Sequence, residues 1–246
     1  MHPRQTMSEP SSGLRCDYLP RCQYKIWQDA NEFCFTTDAV FLGNFAHVVN
    51  KARVLELGCG TGAISMLLES RGAANITAVD CNPRITELLR RSITDNDLRD
   101  KITVIDGDIR DYKQLFKHES MDLVVANPPY RNSGNVRQIG TAACHEVTST
   151  LEDFFKAAAF TVRYRGRFDL VQLPERFAES MELAVKYGLQ PKRLQWVHST
   201  IDKPAWIFLM EMVKGGSYGL DVLPPLIMYE KDGSYTERVK KYYEEK

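Results

Sequence analysis

Asn127-Pro128-Pro129-Tyr130 is the segment whose residue types point most directly to chemistry. It follows Met121-Asp122-Leu123-Val124-Val125-Ala126, an apolar run that reads as a buried strand ending abruptly. Two consecutive prolines fix φ and donate nothing to a sheet ladder, so the backbone after Asn127 is stiff. A rigid turn with an amide at one end and an aromatic ring at the other suits a planar amine. The Asn127 side-chain oxygen and the Pro128 carbonyl can each accept one N–H of an NH2 group, and Tyr130 can stack on the ring that bears it. The same residues would also serve as a plain strand terminator with a capping Asn. What lies upstream decides between the two.

Ala52-Arg53-Val54-Leu55-Glu56-Leu57 is a short apolar run, followed by Gly58-Cys59-Gly60-Thr61-Gly62 and an apolar helical stretch from Ala63 to Glu69. Strand, glycine turn and helix in that order let the backbone approach a ligand closely with a helix N-terminus behind it. The spacing is GxGxG, not the GxGxxG of dinucleotide sites. A second strand, Asn75 to Val79, ends in Asp80, about twenty residues on, where a carboxylate can accept hydrogen bonds from ribose hydroxyls. A third, Ile102 to Ile105, leads to Asp106-Gly107-Asp108-Ile109, which places Asp108 for an exocyclic adenine amine and Ile109 beside the ring. Each acid taken singly also reads as a strand-end cap. Taken in order, with Asn127 ending the fourth strand, they describe one cleft at the carboxyl ends of a parallel sheet.

The elements that must position these residues follow from periodicity. Residues 1–13 read as a flexible leader and 14–246 as one domain, with an extension over 14–50 and an α/β core over 51–246. In the extension, Tyr24 to Gln28 and Phe33-Cys34-Phe35 suggest short strands and Thr37 to Val48 a helix. Residues 51–130 alternate strand and helix four times, which implies a parallel sheet. Residues 131–147 form a polar loop placed to act as a lid or substrate loop. Thr150, with Asp153 three positions on, caps a helix that runs to Val162. Phe168 to Leu173 is the fifth strand, and Pro174 opens a helix that stops near Gly188. Arg193 to His198 and Trp206 to Val213 pair as an antiparallel hairpin, and a charged amphipathic helix begins at Ser234.

Glu56, Gly58-Cys59-Gly60-Thr61-Gly62, Asp80, Asp108 and Asn127-Pro128-Pro129-Tyr130 together resemble a class I S-adenosylmethionine-dependent methyltransferase of the amino-methylating kind. The resemblance extends from about Leu14 to the C-terminus. Phe33-Cys34-Phe35-Thr36-Thr37-Asp38-Ala39-Val40-Phe41-Leu42, and His145-Glu146 before Thr148 to Asp153, resemble a narrower group, the bacterial tRNA1(Val) adenine-37 N6-methyltransferases. The resemblance implies a Rossmann-like sheet of seven strands, mostly parallel, with the last hairpin reversed. It implies S-adenosylmethionine as cofactor and the anticodon loop of a tRNA as partner. Glu56 and Gly58, Gly60 and Gly62 would shape the methionine end of the cofactor pocket, and Thr37 and Asp38 would close it. Asp80 would hold the ribose, Asp108 and Ile109 the adenine, and Asn127 would border both cofactor and acceptor. Arg131, Arg137 and His145 would touch RNA. Two departures stand out: Cys144 occupies the place of the family's usual arginine, and Tyr164-Arg165-Gly166 replaces a Pro-Gly-Gly corner.

Composition bounds the alternatives. Hydrophobic residues at 43% and charged residues at 26% are those of a globular chain with a sizeable core. No apolar run reaches membrane-spanning length, and the first residues hold no signal-peptide core. The six cysteines are scattered without a CxxC pair, which favours reduced thiols, a cytoplasmic setting, and neither zinc nor disulfides. Net charge is zero, so RNA contact would rest on local groups: Arg131, Arg137 and, in the extension, Arg15, Arg21 and Lys25. Arg163, Arg165 and Arg167 read as solvated surface charges. Rival readings are methylation of another RNA amine, or of a release-factor glutamine, whose enzymes carry a helical N-terminal domain. A DNA adenine enzyme lacks residues here for target recognition.

Overall fold

The computed structural model describes residues 13–32, 34–130 and 149–244. Four short apolar runs form one side of the main sheet, with β5 at its edge: β3 (Arg53–Leu57), β4 (Asn75–Asp80), β5 (Ile102–Asp106) and β6 (Met121–Ala126). They are parallel, and their mostly apolar composition is that of strands covered on both faces. Beyond β6 come β7 (Val162–Gln172), then β9 (Ala205–Lys214) antiparallel to β7, then β8 (Leu189–His198) antiparallel to β9. These seven strands are the expected sheet. Two short strands lengthen its edge against β8: β10 (Asp221–Val222) and β11 (Leu226–Ile227).

The strand order β10-β8-β9-β7-β6-β3-β4-β5 reverses at β3. A crevice opens at the carboxyl ends of the strands at such a switch point. Leu57 is level with Ala126 on one side and Val79 on the other, so Gly58, Asn127 and Asp80 leave the sheet side by side. Register alone thus gathers residues that lie far apart in sequence.

One face of the sheet is covered by α1 (Thr37–Phe45), α2 (Ala63–Ser70), α3 (Pro83–Asp95) and α7 (Glu237–Tyr243), and by a hairpin of β1 (Leu14–Tyr18) and β2 (Lys25–Asp29). The other face carries α4 (Tyr112–Leu115), α5 (Leu151–Thr161) and α6 (Phe177–Lys186). α5 has the capping box expected of Thr150 and Asp153. It buries Phe155 edge-on against Phe168 of β7, ring centroids 5.3 Å apart. Burying one such ring is worth about 2–3 kcal/mol. Asn82 caps α3 by accepting from the Arg84 amide, with Pro83 at the first helical position.

Four boundaries differ from expectation. β1 is missing from the sequence reading because it alternates poorly and lies exposed; Cys34 and Phe35 belong to no strand, and Phe33 lies outside the described residues. α1 ends at Phe45 rather than Val48, where Arg71 donates to the Gly43 carbonyl and Arg193 to that of Phe45, 3.4 Å away. Cations suit a helix C-terminus. β7 begins six residues before Phe168: Arg165 turns out at φ 63°, and the pairing with β6 shifts register there, so the residues read as a corner are a bulge in a continuing strand. α7 starts after Thr236, which caps it, because Ser234 is engaged by Asp232 in the preceding turn.

Candidate active site

The glycine loop is shaped by its backbone. Gly58, Gly60 and Gly62 all have positive φ, and Gly62 opens α2 from the left-handed region. The Asp80 carboxylate ties the loop to β4: the Gly60 amide donates to Oδ2 at 2.9 Å and the Asn82 amide to Oδ1 at 3.0 Å. Each oxygen keeps lone-pair capacity for further donors. Burial raises the Asp80 carboxyl above its ordinary value, and these amides oppose the shift.

Between the loop and Asn127 lies a cavity of about 30 Å³ lined by Glu56, Gly58, Gly60, Thr61, Asn127, Phe35 and Ala39. A nucleoside cofactor requires Phe35 and its neighbours to move outwards. The donor set nevertheless suits one. The Thr61 hydroxyl is buried with no hydrogen-bond partner among the described residues, and three glycines leave the backbone open to close approach. Glu56 is almost fully buried, with both donors of Ser65, amide and hydroxyl, on a single oxygen and no ion-pair partner among the described residues. Burial lifts Glu56 to about 8.

That shift has a sign. A carboxyl whose folded value lies above its unfolded one contributes stability at low pH that is lost as pH rises through the folded value. In the free protein, the Glu56 contribution is therefore present below about pH 4.5 and lost by about pH 8. Glu56→Gln is expected to flatten the fall in thermal stability over that window by a few kcal/mol. Melting curves at intervals across the window check this; parallel pH profiles for both proteins would refute it.

Asp108 stands at the end of the next strand but has a local partner. It caps the turn Ile109–Asp111 through the Arg110 amide at 2.9 Å, and the Arg110 guanidinium pairs with both its oxygens. The Arg110 guanidinium holds its carboxyl below the usual carboxylate range. Ile109 beside it is buried. The strand-end cap is therefore present, and Asp108 is not among the residues that line the cavity.

Asn127 is half-buried, Pro128 buried and Pro129 exposed, directly after β6. Tyr130 turns back and donates from its hydroxyl to Asp38 of α1. Thr37 hydrogen-bonds Tyr243, the end ring of a stack of Tyr229, Tyr235 and Tyr243 with centroids 5.2 and 5.1 Å apart. Neither Thr37 nor Asp38 lines the cavity; Phe35 and Ala39, flanking them in sequence, do. Sequence reasoning missed both. Arg131, Arg137, Cys144, His145 and Glu146 lie outside the described residues. Of the other cations, Arg15 pairs with Asp17 at 2.8 Å and Arg21 donates to Asn44 at 2.6 Å. Arg163 pairs with Asp122 at 2.7 Å, and Arg167 with Glu211 at 3.6 Å.

A doubly covered sheet that reverses at β3, a glycine loop there, and acids at the next two strand ends define a class I methyltransferase. The comparisons agree. Residues 31–181 match the methyltransferase small domain. The tRNA1(Val) (adenine(37)-N6)-methyltransferase of Haemophilus influenzae (strain PittGG) is 33% identical over 87% of this chain and 91% of its own length. That of Dyadobacter fermentans is 25% identical over 90% and 95%. Among solved structures, a "predicted O-methyltransferase" from Agrobacterium tumefaciens superimposes with a TM-score of 0.71, at 22% identity over 84% of this chain and 95% of that one. A geranyl diphosphate methyltransferase in complex with SAM gives 0.56, at 14% identity over 72% and 84%. This chain belongs to the methyltransferase small domain family and, within it, to the family of the tRNA1(Val) (adenine(37)-N6)-methyltransferases.

Proposed function

We propose that the protein uses S-adenosylmethionine to methylate the exocyclic N6 of an adenine in a tRNA anticodon loop, adenine 37 of a valine tRNA, and that residues 14–246 act as one domain. The observation that carries the reading is the Asn127–Tyr130 turn emerging at the carboxyl end of β6 beside the glycine loop of β3. The relatives' names support the tRNA substrate. The same names disfavour the release-factor reading.

S-adenosylmethionine supplies a methyl group already activated on a sulfonium. The residues supply position and electrostatics. Asp80 accepts from ribose hydroxyls, and Asp108 faces the adenine edge beside Ile109. Glu56 and the glycine loop border the methionine end, where the Glu56 carboxyl faces positive charge. Asn127 and the Pro128 carbonyl each accept one N6 proton of the acceptor. This draws a nitrogen whose lone pair is delocalised into the ring toward a tetrahedral shape. Tyr130 stacks on the extruded base, a contact worth roughly 1–3 kcal/mol. A single-stranded loop gives up a base at least cost. The product ammonium is acidic enough to lose its proton to water, so an amide acceptor at Asn127 suffices. Arg131, Arg137 and His145 are assigned to RNA contact.

Asp80→Ala is expected to weaken cofactor binding at least tenfold by calorimetry, because it removes the ribose acceptor and releases the Gly60 amide together. An unchanged affinity would remove Asp80 from the site. The reading as a whole is tested by transfer of labelled methyl to total tRNA lacking the modification, followed by nucleoside analysis. N6-methyladenosine in a valine tRNA is expected. Label on a release factor and none on tRNA would overturn the substrate while leaving the fold untouched.

A further inference from the structure

We propose that Asp38 is a positioning residue for the acceptor base: it fixes the plane of the Tyr130 ring by accepting the phenolic hydrogen bond. The inference rests on the reading of Asn127–Tyr130 as an amine-methylating turn.

The bond joins residues 92 positions apart in sequence, with the donor on the turn after β6 and the acceptor in the first turn of α1. Pro128 and Pro129 fix the backbone leading to Tyr130, but they leave its side-chain torsions free. A ring that receives a base needs a defined plane, because offset stacking depends on orientation. A second point of attachment provides it. The anchor is itself immobile: α1 is clamped at its far end by Arg71 and Arg193, and Thr37 beside Asp38 is bonded to Tyr243.

Asp38 is costly where it stands. It is 4% exposed, and burial raises its carboxyl above the ordinary value, opposed by hydrogen bonds from Tyr130 and Thr36. The packing of α1 does not need it, since Ala39, Phe41 and Leu42 make the apolar contacts. The cofactor cavity does not use it either, being lined by Phe35 and Ala39. Its bond with Thr36 is local to the helix entry, and the contact that reaches across the fold is the one with Tyr130.

The test is a double-mutant cycle on methyl transfer to tRNA. Tyr130→Phe keeps the ring and loses the hydroxyl, while Asp38→Leu keeps the buried volume and loses the acceptor. Each is expected to lower kcat/KM for tRNA roughly tenfold, and the double variant no further than the worse single one, as for two residues acting through one bond. Asp38→Asn, whose amide oxygen still accepts the phenol, is expected to recover most of the loss. Cofactor affinity by calorimetry is expected to stay within about threefold throughout, since neither Asp38 nor Tyr130 lines the cavity. Multiplied losses in the double variant would overturn the inference. So would a fall in cofactor affinity matching the fall in turnover, which would make Asp38 a cofactor ligand. Either result with an active wild type leaves the proposed function standing. A wild type that methylates no adenine overturns that function, and the inference with it.

Discussion

Asn127→Ala is expected to lower the single-turnover rate of methyl transfer roughly a thousandfold while cofactor affinity changes by no more than about threefold. Two features separate these effects. The position of Asn127 is set by backbone: Ala126 before it is held level with Leu57 and Leu170 by the neighbouring strands, and Pro128 after it is rigid. Truncating the side chain therefore leaves the turn in place. On the proposed reading, the lost amide oxygen would be one of two acceptors that reshape the acceptor nitrogen, an interaction made most strongly as the new bond forms, so the loss would fall on the rate. Asn127 also borders the cofactor cavity, which accounts for a small change in affinity. Rapid-quench kinetics with saturating cofactor, set beside calorimetry, measure both. Equal losses of rate and affinity would make Asn127 a structural residue of the loop.

Gly62→Ala is expected to destabilise the protein by about 2–4 kcal/mol and to lower its melting temperature by roughly 5–15 °C. Gly62 sits at φ 81°, where a side chain is strained, and a Cβ there would lie 2.2 Å from Leu89 Cδ1. Leu89 is fully buried in α3 and has little room to yield. Gly188→Ala separates the two causes: its φ is 67°, but a Cβ there meets nothing within 4 Å. It carries backbone strain alone, about 1–2 kcal/mol. Thermal melts of both variants decide the matter. Equal destabilisation would show that contact with Leu89 contributes nothing. The Gly62 variant is also expected to bind cofactor less well, because α2 and the loop move together.

The middle of the sheet was legible because its strands are covered on both faces. Val54 to Leu57 and Leu123 to Ala126 have no exposed side to break the apolar run, and Gly58 and Pro128 end them sharply. The placement of the strand-end residues was legible for a related reason: parallel strands bring their last residues to one edge, so the positions of Asp80, Asp108 and Asn127 could be gathered without knowing their contacts. β1 and β10 were not legible, being short and exposed, nor was β11, which is only two residues long though Leu226 is fully buried. The first half of β7 was hidden by Arg165 and Gly166, which mark a turn as readily as a bulge. Partnerships across the site were the least legible. Tyr130 with Asp38, Thr37 with Tyr243 and Asp108 with Arg110 depend on how helices and turns face one another, and no periodicity encodes that.

Asp80 and Asp108 end β4 and lie just beyond β5, where they would meet the adenosine half of the cofactor. Methyl transfer leaves that half unchanged. Groups that hold reactant and by-product alike improve capture but give no preference for release. The spent cofactor is therefore a natural inhibitor, and throughput follows the ratio of fresh to spent cofactor rather than the fresh supply alone. Discrimination has to come from what the reaction alters, a single positive charge at sulfur. On the proposed reading, Glu56, buried on β3 without an ion-pair partner among the described residues, would be the group to sense that loss and tip the exchange toward renewal.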